Sequence, residues 1–200
     1  MSRISRSGGV VFCAIIASLS MALGGCSSEE PETPKRGYPV PSEFCGLNVS
    51  RGALLEIFKG GKRIKKENGA PWGDKSGLDS QGCRYDIDGL PSVDLDGNWV
   101  SRDYPVRTPD PKAALKKYYP SAKPRRHNGR YDSATWLHGF VVTLKCRSHD
   151  ENYRYDWFQL RLNVDHLLHK DDAARTHKEF EKLATGVAVE AEKRLACEGK

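Results

Sequence analysis

The chain has 200 residues, with 32 Lys and Arg against 26 Asp and Glu, six Cys and 38% hydrophobic residues. That length supports one hydrophobic core and excludes a second full-sized domain. Apolar residues crowd the start, 14 of them within residues 1–25, and the rest of the chain has the composition of a polar, soluble domain.

Arg3 and Arg6 give a basic start with no acid before Glu29, and Val10 to Ala22 is an apolar run of 13 residues. A membrane-spanning helix needs roughly 20 residues, so the run has the length of a signal-peptide h-region. It ends in Leu23-Gly24-Gly25-Cys26. This stretch resembles the lipobox of bacterial lipoproteins, in which the Cys sulfur is diacylated and the chain is cut before it. The resemblance implies residues 1–25 as a signal peptide and Cys26 as a lipidation site, with the protein held on the extracytoplasmic face of the cell membrane. Two acyl chains on one residue satisfy the requirement for stable anchoring that a single chain does not meet. An ordinary cleavage site after Ser20-Met21-Ala22, with Cys26 a plain thiol, is the competing reading. Residues 26–44, rich in Glu and containing Pro31, Pro34, Pro39 and Pro41, read as a solvated tether. Residues 45–200 are the expected single domain.

Four Cys remain in that domain: Cys45, Cys83, Cys146 and Cys197. An even number in an exported domain implies two disulfides, with three pairings open. Cys45–Cys83 and Cys146–Cys197 are favoured because each joins neighbouring elements. A zinc site would need C-x-x-C or close Cys/His spacing, which is missing.

In chain order, Ser50 is a candidate N-cap for a short helix carrying Leu54, Leu55 and Phe58 and stopped by Gly60-Gly61. Residues 59–80 read as a polar loop containing Trp72. From Cys83 to Tyr104 a meander is expected, turning at Asp88-Gly89 and at Asp96-Gly97. Pro109, Asp110 and Pro111 introduce a helix that Pro120 ends. Trp136 to Cys146 alternates as a strand with His138 on its core face. Tyr153 to Val164 pairs with it, and a phase slip between Trp157 and Phe158 predicts a bulge or an exposed aromatic end. Asp171 or Asp172 then caps a long amphipathic helix bearing Phe180, Leu183, Ala184, Val187, Ala191 and Leu195. The expected class is α+β: an antiparallel sheet, a short N-terminal helix and a long C-terminal amphipathic helix packed on it, with two disulfides. Phe44-Cys45-Gly46-Leu47, a Leu-containing helix and Gly82-Cys83-Arg84-Tyr85 resemble small actinobacterial lipoproteins of the DUF3558 type. That resemblance spans residues 45–105 and implies location and architecture only.

Charge is uneven. Lys112, Lys116, Lys117, Lys123, Arg125, Arg126 and Arg130 lie in a stretch without a single acid, the candidate anion-facing residues. Outside the membrane the anions available are phospholipid headgroups and wall polymers, and nucleic acid is not an expected partner. Asp86-x-Asp88-Gly89 and Asp94-x-Asp96-Gly97 begin like calcium loops but lack the distal ligands, and His166, His169 and His177 lack zinc-site spacing, so no metal or cofactor is expected. Glycine-rich phosphate loops and G-x-S-x-G are missing as well. The function expected is a binding or scaffolding module at the cell envelope, with an anionic lipid, a wall polymer or an envelope protein as partner. One alternative is an envelope hydrolase acting on wall polymers, which a deep cavity joining His138 to another titratable group would favour. Another is a partner-regulating lipoprotein using Tyr153, Tyr155 and Trp157 as its contact patch.

Overall fold

A computed structural model describes residues 35–72, 81–101, 107–149, 154–195 and 197. The elements run α1 (Arg51–Ile57), β1 (Ile64–Asn68), β2 (Gln81–Ile87), β3 (Leu90–Val100), α2 (Pro111–Tyr118), β4 (Arg125–Asn128), β5 (Asp132–Trp136), β6 (Gly139–His149), β7 (Arg154–Val164) and α3 (Ala173–Arg194). The strands form one antiparallel sheet in the order β1-β2-β3-β7-β6-β5-β4. This is the expected α+β architecture.

α3 closes the main core. Asp172 caps it, its side chain accepting the Arg175 N–H at 2.8 Å. The whole expected stripe from Phe180 to Leu195 is buried, against Phe140, Val142, Leu144, Leu160 and Leu162 of the central strands. Each of its Phe, Leu and Val side chains contributes on the order of 2 kcal/mol when taken out of water. Both disulfides join at this core: Cys45–Cys83 spans 5.3 Å between Cα atoms and Cys146–Cys197 spans 5.0 Å. Closing loops of 38 and 51 residues contributes about 4 kcal/mol each in the chain-entropy account.

The opposite face of the sheet is partly covered by α2. Asp110 caps that helix through the Ala113 N–H at 2.7 Å, and Pro111 occupies its first turn. Ala114 and Leu115 meet Ala134, Trp136 and Val141 in a second, smaller cluster. Beside it the face turns polar. Asp96 binds the Arg161 guanidinium at 2.5 and 2.8 Å, Arg161 stacks 4.2 Å from the Tyr118 ring, and Gln159 donates to Thr143. Burial pushes the Asp96 carboxyl up, opposed by Arg161.

Several expectations are corrected. Ser50 is the N-cap of α1 as expected, though its side chain makes no cap bond, whereas Leu55 is exposed and Ile57 packs in its place. Part of the expected loop at 59–80 is β1, paired along β2. Asp88-Gly89 makes the turn between β2 and β3, both residues in left-handed conformation, but Asp96-Gly97 lies inside β3. A Cβ at Gly97 would lie 2.5 Å from Phe158 and 2.8 Å from Trp72, so this glycine serves close packing rather than a turn. Trp136 ends β5 and His138 lies in the β5–β6 turn, half-buried, with Nδ1 3.1 Å from the Val164 carbonyl. The predicted bulge falls on the partner strand, between Lys145 and Ser148 of β6 opposite Trp157 and Tyr155. Of the expected tether, residues 35–44 include the buried Tyr38 and Phe44, so this part packs on the fold. Arg36 further donates to the Leu55 carbonyl at 3.0 Å.

Candidate binding surface

Lys112, Lys116 and Lys117 project from the exposed side of α2, because Ala114 and Leu115 turn the other side to the sheet. Lys123 and Arg125 continue the charge towards β4. Lys116 Nζ donates to the Pro120 carbonyl at 3.1 Å, holding the helix end.

Arg126 and Arg130 are held by carboxylates. Arg126 bridges Asp110 at 2.9 Å and Asp132 at 2.5 Å, and Arg130 meets Glu192 of α3 at 2.9 Å. The basic stretch of sequence contains no acid near them because Asp132 and Glu192 lie beyond it and fold back. Tyr131 also donates to Glu192, at 2.7 Å, and burial together with that bond pushes its hydroxyl up to about 12. These groups, with Lys145 and Trp157, line a mixed-charge cleft of about 480 Å³ between the start of α2 and the end of α3.

The other candidate residues are scattered. His166 pairs with Asp165 at 3.0 Å, His169 lies 3.9 Å from Glu56, and His177 contacts Thr135 at 2.7 Å. Among the described residues no cluster of three His, Cys, Asp or Glu could hold a metal. Asp88 accepts the Lys62 and Arg63 N–H groups, which holds its carboxyl below the usual range. Tyr155 is a core residue, 5.8 Å from Trp99, which removes it from the expected aromatic patch; Trp157 lines the cleft and Tyr153 lies outside the described residues. Cys26 lies outside them too.

One polar chain has no signature in the sequence. Glu181 lies 3.0 Å from His127 Nδ1, His127 Nε2 lies 2.8 Å from Thr135 Oγ1, and Thr135 Oγ1 lies 2.7 Å from His177 Nδ1. Burial lowers the His127 pKa against the pull of Glu181, and burial with Arg125 lowers that of His177. The chain joins β4, β5 and α3 across more than forty residues of sequence, and no local signal marks it. His177 also lines a second, mostly apolar cavity of about 540 Å³ with Tyr119, Trp136, Leu137 and His138.

Among the described residues, the domain is therefore an antiparallel α+β sheet protein with a cationic helix and a cavity at each end of α3. No family model, curated protein or solved structure matches the chain.

Proposed function

We propose that this protein is a lipid-anchored extracytoplasmic binding module of the cell envelope, exported by residues 1–25 and held at the membrane by diacylated Cys26. The lipobox-like Leu23-Gly24-Gly25-Cys26 supports the anchor. The binding role is carried by one observation, the exposed cationic side of α2 with Lys112 and Lys116, extended by Lys123 and Arg125. Each such cation contributes about 1 kcal/mol near an anionic surface, enough in sum to orient a tethered domain. Arg126 and Arg130, neutralised by carboxylates, are not part of this face.

The anchor is tested by labelled palmitate, whose incorporation is lost in Cys26→Ala; incorporation that survives overturns it. Cosedimentation with anionic vesicles or wall fragments tests the surface. Binding is expected to fall steeply between 0.1 and 1 M salt, as screening lengths shorten from about 10 to 3 Å, and to be lost in Lys112→Glu/Lys116→Glu/Lys123→Glu. Salt-independent binding overturns it. A second reading, an envelope hydrolase acting on wall polymers, is favoured by His138 and His177 lining one cavity with Ser121. Release of soluble sugar from wall fragments by the purified chain decides it.

A further inference from the structure

The cavity beside the β5–β6 turn has walls of Tyr119, Trp136 and Leu137, with the Tyr119 and Trp136 rings 4.7 Å apart and tilted by 31°. Its volume of about 540 Å³ falls within the range of small-molecule sites, roughly 300–1,000 Å³. Two imidazoles complete it. His138 Nδ1 donates to the Val164 carbonyl, which leaves Nε2 of the neutral ring as an acceptor.

The polarity of His177 is set from a distance. Glu181, as a carboxylate, only accepts, so His127 Nδ1 carries a proton and, in the neutral ring, Nε2 does not. The Thr135 hydroxyl must then donate to His127 Nε2 and accept from His177 Nδ1–H. His177 Nε2 is left as a bare acceptor with no partner among the described residues. We propose that this cavity binds a small ring-bearing molecule whose apolar body sits against Tyr119, Trp136 and Leu137 and whose hydroxyl or N–H group donates a hydrogen bond to His177 Nε2.

Protonating His127 reverses the two bonds through Thr135, while its Nδ1–H still donates to Glu181. Its Nε2–H then donates to Thr135, Thr135 donates to His177 Nδ1, and His177 Nε2 becomes a donor. The charged and titratable groups around the pair are Glu181 on α3, Arg125 on β4, and the two histidines themselves, with His138, Lys123 and Tyr119 around the cavity. Because burial depresses both His127 and His177, the acceptor form holds at pH 7.5. This proposal rests on neither the lipid anchor nor the charges of Lys112 and Lys116.

The test is an NMR titration of the Trp136 indole N–H in the full chain, assigned with Trp136→Phe, using 2-naphthol against 2-methoxynaphthalene. At pH 7.5, 2-naphthol is expected to bind about fivefold more tightly, the effect of one neutral hydrogen bond. His177→Phe is expected to abolish that preference while 2-methoxynaphthalene still binds, which shows the variant is folded. In the unmodified chain the preference is expected to be lost as pH falls through the depressed values of the two histidines. Equal binding of the two probes at pH 7.5, a preference that survives His177→Phe, or an unmoved Trp136 signal overturns the proposal. A concentration-dependent dimer dispersed by Leu137→Asp would assign the cavity to a second copy of the chain and also overturn it.

Discussion

The sheet face under α3 is apolar along the central strands and sealed by a 22-residue helix and two disulfides, whereas across the same strands the face under α2 carries Asp96, Arg161, Gln159 and Thr143 beside a cluster of five buried residues. The first face is built to exclude water. On the second, polar groups persist because each finds a partner, and α2 is left with its cations outward. Apolar burial and surface charge are thus divided between the two sides of one sheet. Both cavities lie where the α3 side meets the α2 side, one at each end of α3.

Removing the Phe180 ring, fully buried under α3, should cost about 4 kcal/mol in urea unfolding. An equal loss from Leu115→Ala in the small cluster would erase the distinction between the faces. Cys146→Ala/Cys197→Ala should cost about 4 kcal/mol, because the disulfide ties the end of α3 to β6. On the other face, Asp96→Ala strands the Arg161 guanidinium, whose side chain is only 24% exposed, and should cost about 2 kcal/mol. Asp96→Leu/Arg161→Met should recover most of that loss, since an apolar pair leaves no buried charge. Failure to recover would mean that the polar face is required for folding.

Acidification probes the seam between the faces. His127 and His177 are depressed in the folded state, so the unfolded chain binds more protons as pH falls. Their contribution is complete above about pH 6.5, the ordinary histidine value, and is lost as pH falls through the folded values. A plot of unfolding midpoint against pH should therefore slope downward below 6.5, and less so in His127→Gln/His177→Gln. That comparison separates the histidines from Asp94 and Asp96, whose carboxyls burial raises. The smallest effect is expected from Arg126→Ala. Its carboxylate partners are exposed, so thermal unfolding should hardly change although the charge on the cleft does.

The apolar stripe of α3, its aspartate cap, the proline-bounded α2, the Asp88-Gly89 turn and both disulfides are legible in the sequence. Each is specified by residues close in the chain or, for the cysteines, by arithmetic and neighbourhood. Gly97 reads as a turn because a dipeptide signal says nothing about Trp72 and Phe158 pressing against the strand. The basic run reads as seven equivalent cations because Asp132 and Glu192 reach Arg126 and Arg130 only after β5 and α3 are placed. The Glu181–His127–Thr135–His177 chain is invisible for the same reason. Hydrophobic period, capping and Cys count are local properties, and they suffice to set the class of fold, its staples and the sign of its surface. Which arginines are neutralised, and which histidine nitrogens Glu181 and Thr135 hold, depends on partners that meet through long-range strand pairing and helix docking, and so emerges only in the folded chain.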